Sequence, residues 1–201
     1  KYSKAKLNNP NANERFFENI ASEEKAYFLG LLISDGIVFK DNTGRQASIS
    51  ITLNSDDEYI LQKFKEVLNI NTSISKDGRG CSQIAIRSNL MAGDLKQYGV
   101  VPRKSYITYL PKINDIYMSH LIRGILDGDG SILAKPSPKQ DGRNRYLHSI
   151  SFCGSHQLME DIAKYLYNNL QLKQPIQVYD YQDKNLSDIP VSYTHLRAHE
   201  T

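Results

Sequence analysis

Two Asp-Gly pairs, each placed directly after an apolar stretch, are the residues in this sequence best suited to chemistry. Asp35-Gly36 ends "FLGLLISDG", and Asp129-Gly130 ends "IRGILDGDG". Carboxylate oxygens are the ligands that hard divalent cations such as Mg²⁺ prefer. A carboxylate at the end of a helix opposes the helix dipole, and two such carboxylates repel each other unless cations neutralise them. The repeated pattern therefore predicts a paired acidic site for a divalent metal.

Two other interpretations apply to one motif taken alone. A single Asp-Gly pair favours an ordinary helix stop, with Gly in a left-handed cap and Asp as a turn residue. An EF-hand loop is a second interpretation of "DGDG", but Ile132 occupies the position that requires Gly, and the downstream Glu is absent. Two copies in matching surroundings favour the paired site.

Small residues indicate how two helices could bring these aspartates together. Gly30 and Ser34 are four positions apart and share a helix face, as do Gly124 and Gly128. Small side chains at that spacing let two helix backbones approach closely. We therefore predict a helix interface at these four residues, with Asp35 and Asp129 at its end.

The surrounding sequence is duplicated. The segment "SISITLNS" (48–55) recurs as "SISFCGS" (149–155), and "LNINTSIS" (68–75) recurs as "LQLKQPIQ" (170–177). The polar stretch "KPSPKQDGRNR" lengthens one hairpin loop of the second copy, where insertions are well tolerated.

The first copy predicts the element order αββαββα and the class α+β. The strands "GIVFK" and "QASISITLN" form a hairpin, and a second hairpin turns at Asp77-Gly78 before the closing helix "NLMAGDLKQYG". The helix between the hairpins has a predicted apolar side made of Tyr59, Ile60, Phe64, Val67 and Leu68. Helices on one side of four strands leave the other side of the sheet polar and open to a partner.

Composition narrows the class of protein. The chain has 201 residues and a net charge of +3, which permits a nucleic-acid partner without requiring one. No apolar run is long enough to cross a bilayer, and the first twenty residues lack the core of a signal peptide, so a cytoplasmic or organellar-matrix protein is expected. Cys81 and Cys153 are isolated, which favours small buried side chains over zinc or a disulfide.

With both motifs and the repeat established, the sequence resembles the LAGLIDADG homing endonucleases, in the single-chain form that carries two motifs and accompanies introns or inteins. The resemblance covers about residues 14–189. It implies tandem pseudo-twofold repeats whose two antiparallel four-stranded sheets form a DNA-binding saddle, with the motif helices at the interface.

The resemblance also implies an activity, which is hydrolysis of one phosphodiester in each DNA strand by a monomer that uses Mg²⁺ or Mn²⁺. Asp35 and Asp129 would be catalytic and would bind metal, together with the adjoining Gly36 and Gly130. Lys104 in "PRKS" is a candidate for orienting water or stabilising charge, and a solvated surface lysine is its equal alternative.

The open faces of the two sheets would contact a long, asymmetric double-stranded DNA target through the major groove. The predicted contacts in the first copy are Gln46, Ser48, Ser50, Thr52, Gln83 and Arg87. Those in the second copy are Lys135, Arg143, Arg145, Ser149, Ser151, Gln177 and Tyr179. Each of them alone would be an ordinary solvated residue, so the prediction depends on the alternation of the set.

The predicted organisation is an N-terminal extension (1–20), a first half (21–112), a second half (113–190) that is truncated, and a non-native tail (191–201). The tail resembles translated sequencing-adaptor read-through and lacks the amphipathic pattern of a closing helix, so we expect reduced stability. Because the first residue is not Met, we also expect a fragment. Two other functions stay open, namely an RNA-binding intron maturase and a DNA-binding protein without catalysis on the same scaffold.

Overall fold

The computed structural model describes residues 11–40, 44–136, 146–172, 174–181 and 186–192. The chain divides into two compact units. Unit 1 comprises the residues up to Lys104 together with Pro111–Ile125, and unit 2 comprises Ser105–Leu110 together with the chain from Leu126 onward. Residues 115–125, which the sequence analysis assigned to the second half, pack against the first helix of unit 1.

Unit 1 follows the predicted order of elements. Its helices are α1 (Glu23–Ser34), α2 (Glu58–Leu68), α3 (Asn89–Lys96) and the first part of α4 (Asp115–Asp129). Its strands are β1 (Gly36–Lys40), β2 (Ala47–Asn54), β3 (Ser75–Lys76) and β4 (Cys81–Arg87), which form an antiparallel sheet in the order β1-β2-β4-β3. Short 3₁₀ turns lie at Ser55–Asp57 and Lys104–Tyr106, and the second of them crosses into unit 2.

The core of unit 1 lies between one face of this sheet and its helices. Ile49 and Ile51 of β2 are buried, as are Ile84 and Ile86 of β4, because alternate residues of a strand point to the same face. The buried face of α2 consists of Leu61, Phe64 and Leu68. The predicted face was wrong at Tyr59, which is exposed, and it omitted Leu61.

The segment preceding α1 belongs to this core, although the sequence predicted a separate extension over residues 1–20. Phe16, Phe17 and Ile20 are buried, and the ring of Phe17 lies 6.3 Å from that of Phe64, centroid to centroid. The side chain of Arg15 pairs with Asp94 of α3 at 2.6 Å. Residues 1–10 of the predicted extension lie outside the described residues.

Unit 2 repeats the hairpin–helix–hairpin arrangement. It contains the last turn of α4, the helix α5 (His156–Asn169), and the strands β5 (Gly130–Pro136), β6 (Tyr146–Ser155), β7 (Tyr179–Tyr181) and β8 (Leu186–Ser192). The strands are antiparallel in the order β5-β6-β8-β7. Val191 is buried and pairs with Ile150, so β8 includes the first two residues of the predicted tail; residues 193–201 lie outside the described residues.

The two sheets differ in how well their inner faces are covered. Val38 of β1 pairs with Ile49 and is 6% exposed. Ile132, the equivalent residue of β5, pairs with Ile150 but is 71% exposed. In unit 1, α3 packs against β2, whereas the described part of unit 2 contains no helix after β8.

Among the residues that the structure describes, no helix combines the length and the apolar character needed to span a bilayer.

Candidate functional site

The first acidic motif lies where α1 passes directly into β1. Ser22 caps the start of α1 by accepting a hydrogen bond from the backbone N–H of Lys25 at 3.3 Å. Asp35 is the last residue of the helix turn, and its N–H donates to the carbonyl oxygen of Leu31 at 2.9 Å. Gly36 then begins β1 without a positive φ, so it does not act as a left-handed cap. A methyl group on Gly36 would overlap the backbone of Leu32, which explains why glycine is needed at this joint.

Helices α1 and α4 are in backbone contact at two glycines within unit 1. A methyl group on Gly124 would overlap the carbonyl oxygen of Tyr27 and lie 2.9 Å from the backbone nitrogen of Leu31. A methyl group on Gly30 would overlap the carbonyl oxygen of Leu121 and lie 3.0 Å from Cα of Gly124. No side chain larger than hydrogen fits at either position, because the obstructing atoms are backbone.

Polar and aromatic contacts between α1 and α4 show the relative direction of the two helices. Nε2 of His120 lies 3.6 Å from a carboxylate oxygen of Glu23, and the guanidinium of Arg123 lies 4.8 Å from the ring centroid of Tyr27. Residue numbers rise together along both helices, so α1 and residues 115–125 of α4 run parallel. The other two predicted interface residues differ: Ser34 donates to the carbonyl oxygens of its own helix, and Gly128 is half-buried in the last turn of α4.

Lys104 is buried against the end of α1. Its ammonium donates to the carbonyl oxygens of Ile33 at 2.7 Å and Ser34 at 2.8 Å. These carbonyls have no partner within the helix, and a cation at this end is favoured by the helix dipole. The structure therefore does not place Lys104 as a solvated surface lysine. The Lys104 ammonium therefore places a positive charge beside Ser34, the residue that precedes Asp35.

In unit 2, Asp129 belongs to an acidic neighbourhood at the end of β6. Burial raises the pKa of the Cys153 thiol, and the carboxylates of Asp129 and Asp188 raise it further. Asp188 also raises the pKa of Tyr181. Gly130 packs against Leu126 as Gly36 packs against Leu32, with no room for a side chain.

The donor set fits a hard cation only when other ligands are supplied. Among the described residues, no group of three or more His, Cys, Asp and Glu side chains could hold a metal by itself. A single motif carboxylate in either unit would therefore need water and substrate phosphate as further ligands, which is the way in which Mg²⁺ is usually bound. Sequence reasoning did not identify Asp188, which lies on β8 in register with Cys153.

The outer face of the unit 1 sheet carries most of the predicted contacts of the first copy. Gln83 donates through Nε2 to Oγ1 of Thr52 at 2.9 Å, and Arg87 is exposed at the end of β4. Ser48 and Ser50 lie on this face but are buried, so their predicted exposure was wrong. Their short side chains lie opposite larger neighbours on β1, and Ser48 also lies opposite Arg87 of β4.

Two of those larger neighbours were missed by sequence reasoning. Ile37 and Phe39 of β1 pair with Ser50 and Ser48, so they lie on the outer face, and both are exposed. Their alternation with the buried Val38 was visible in "GIVFK". Gln46 precedes β2 and is half-buried.

In unit 2 the corresponding face contains Ser149 and Ser151 of β6, both half-buried. Oγ of Ser151 lies 2.8 Å from Oγ of Ser131 on β5. Tyr179 is exposed on β7 and donates to Oε1 of Gln177 at 2.8 Å. Lys135 lies on β5, whereas the predicted contacts Arg143 and Arg145 lie outside the described residues.

Comparison with known proteins agrees with this architecture. Residues 22–114 match the family model of the LAGLIDADG-like domain, a range that contains the first acidic motif. No curated protein matches the chain.

Solved structures of LAGLIDADG meganucleases have the same fold. The chain is similar to the meganuclease I-SmaMI bound to uncleaveable DNA with a TTCT central four, with a TM-score of 0.60 and 14% identity over 86% of this chain and 80% of that chain. For the I-SmaMI LAGLIDADG homing endonuclease bound to cleaved DNA, the TM-score is 0.56 with 14% identity over 87% and 79%. For the meganuclease I-AabMI bound to uncleaved DNA, the TM-score is 0.55 with 13% identity over 83% and 77%.

Proposed function

We propose that this protein is a sequence-specific double-strand DNA endonuclease of the homing type. It would be a single-chain monomer with two LAGLIDADG motifs and would be encoded with an intron or intein. The observation that carries the proposal is the contact of α1 with α4 through Gly30 and Gly124, because each helix leads directly to an Asp-Gly joint. Helices that only covered a sheet would not need backbone contact at the two motifs.

Asp35 and Asp129 are the proposed catalytic carboxylates, and with Gly36 and Gly130 they would hold Mg²⁺ or Mn²⁺. When bound, the divalent ion polarises the scissile phosphate and stabilises developing negative charge. Lys104 acts from the end of α1, where its buried ammonium offsets the helix dipole beside Asp35. Its proposed contribution is to hold the end of α1 and the local charge.

The outer faces of the two sheets would bind DNA by placing their strands along a major groove. In unit 1, Gln83 and Arg87 can pair with base edges, since Gln and Arg suit adenine and guanine. In unit 2, Tyr179 and the serines of β6 would contribute other contacts. Because the two faces differ in sequence, the target is expected to be long and asymmetric.

The proposal is tested by selecting cleaved duplexes from a randomised DNA library in the presence of Mg²⁺ or Mn²⁺. Asp35→Asn and Asp129→Asn should each reduce cleavage of the selected site by about a thousandfold or more, since a metal ion supplies several kcal/mol of transition-state stabilisation. Both variants should still bind the site. Asp127→Asn is the matched control, because Asp127 is an exposed carboxylate in the same last turn of α4 and should be dispensable.

The outcomes separate the proposed function from the two alternatives. Binding of a specific site by the wild type without cleavage would identify a DNA-binding protein that lacks catalysis. Binding of the host intron RNA, with splicing that survives both substitutions, would identify a maturase. Cleavage that persists in both Asp variants would overturn the roles proposed for these carboxylates.

A further inference from the structure

The outer face of the unit 1 sheet combines two large apolar side chains with polar neighbours. Ile37 is 56% exposed and Phe39 is 44% exposed, two positions apart on β1. Val38 between them is buried on the other face, so the core does not account for either exposed side chain. Exposed apolar side chains are common singly, but neighbouring ones on one face of a strand suggest a ligand.

The sheet register defines two rows of side chains across this face. Ile37 lies opposite Ser50, which pairs on its other side with Ala85 of β4. Phe39 lies opposite Ser48, which pairs on its other side with Arg87. Both serines of β2 are short and buried. The larger apolar side chains of β1 therefore border a weakly polar row of short side chains.

The charge of this face favours a polyanion. The outer-face positions of the described strands of unit 1 carry the exposed Arg87 and no carboxylate. Gln83 and Thr52 continue the face toward the other end of the strands with amide and hydroxyl groups. Two large apolar side chains are too few for a stable protein interface, which needs about 800 Å² on each partner. They match the C5-methyl group of thymine, the apolar feature that a base presents in the major groove.

We propose that Ile37 and Phe39 recognise thymine methyl groups, so that the half-site bound by unit 1 carries thymines where β1 lies in the groove. This inference rests on the proposed DNA-binding function. Arg87 at the end of the Phe39 row provides the neighbouring contact to guanine or to phosphate.

The test starts from a site selected for binding by the full chain without a divalent metal, so that no cleavage occurs. Selected thymines are then replaced one at a time by deoxyuridine, which removes only the methyl group. Loss of one buried methyl contact should weaken binding about fourfold at the thymines that β1 contacts. This arm uses the unaltered protein, so it does not depend on the folding of any variant.

Two variants then assign the effect to β1. In Phe39→Ser and Ile37→Ser, thymine and deoxyuridine should be bound equally at the position that each residue contacts. Ile132→Ser is the matched control, because Ile132 is a strand isoleucine that is also exposed but lies on the inner face of the other sheet; it should keep the discrimination. Circular dichroism of each variant checks that the sheet is intact.

The outcomes distinguish this inference from the proposed function. If no DNA is selected, the proposed function fails. If a site is selected but deoxyuridine binds equally at every position, or if the discrimination survives both β1 substitutions, recognition of thymine by β1 is wrong while DNA binding stands. Self-association that Phe39→Ser abolishes, with no effect of deoxyuridine, would identify a second copy of the chain as the ligand.

Discussion

The ammonium of Lys104 donates a hydrogen bond to the carbonyl oxygen of Ser34 at 2.8 Å, immediately before Asp35. A second bond reaches the carbonyl oxygen of Ile33 at 2.7 Å. The two motif residues that end α1 are thus tied to a segment about 70 positions later in the chain. Neither interpretation of Lys104 from the sequence placed this lysine in a buried position at the end of α1.

Replacing Lys104 by Met should destabilise the protein by about 1–3 kcal/mol, because a buried and a part-buried carbonyl group lose their charged donor. Urea unfolding followed by circular dichroism measures the loss. Lys112→Met, a substitution of an exposed lysine in the same unit, should change the free energy of unfolding by less than about 0.5 kcal/mol. Equal effects of the two substitutions would contradict the structural role of Lys104.

Replacing Gly30 by Ala should destabilise the protein by about 1–3 kcal/mol, because the added methyl group meets backbone atoms of α4 that can move only with the helix. Gly93→Ala is the control, since Gly93 is exposed in α3 with open space around it. There the substitution should stabilise the helix by about 0.5–1 kcal/mol. Thermal or urea unfolding should show a lower stability for Gly30→Ala and a higher stability for Gly93→Ala. An unchanged stability of Gly30→Ala would refute the close helix contact.

A pH-dependent contribution to stability is expected at His156 in unit 2. The hydrogen bond of its Nδ1 to Asp180, at 2.7 Å, raises the pKa of His156 above its ordinary value of 6.5, and Glu160 adds to the effect while desolvation opposes it. A raised histidine pKa stabilises the fold fully below 6.5, and the contribution disappears as the pH rises through the folded-state pKa.

The melting temperatures of the wild type and His156→Gln should therefore differ most below pH 6.5, and the difference should narrow as the pH rises. Asp180→Asn removes the main cause and should flatten the same dependence. The pKa of Asp180 is itself lowered, first by the hydrogen bond from Ser187 and then by His156. The contribution of Asp180 to stability is therefore lost only below pH 3.8. A difference in melting temperature between the wild type and His156→Gln that widened with rising pH would contradict this prediction.

The equivalent positions Val38 and Ile132 should respond differently to truncation. Val38→Ala should destabilise the protein by about 1–2.5 kcal/mol, because it removes buried methyl groups from a packed core. Ile132→Ala should stay within about 0.5 kcal/mol, because the side chain is 71% exposed. The midpoints of urea unfolding measure both effects, and a large loss at Ile132 would show that the inner face of β5 is covered.

Local patterns predicted the elements well where one physical rule dominated. The hairpin of β1 and β2 followed from period-two alternation, and its predicted strands differ from the observed ones by a single residue. The turn at Asp77 followed from residue type, and its side chain accepts hydrogen bonds from the N–H groups of Arg79 and Cys81. The predicted face of α2 was less accurate, because Tyr59 fits the helical period but is 68% exposed in the structure.

Residues whose role depends on distant parts of the chain could not be predicted in this way. Phe16 and Phe17 look like part of a polar extension in sequence, yet they are buried in unit 1. Ser48 and Ser50 fit an open polar face, yet they are buried opposite the larger residues of β1. In each case the burial depends on which strand or helix lies next to the residue, and local spacing does not contain that information.

Short-range periodicity and side-chain size were enough to predict the duplicated α+β organisation, the two helices that end in Asp-Gly, and the small residues that let helices approach. The burial of Lys104 at the end of α1 is visible only in the folded chain, as is the different exposure of Val38 and Ile132 at matching positions. Burial and charge pairing are set by residues far apart in the chain, so the same local pattern acquires different neighbours in the two copies.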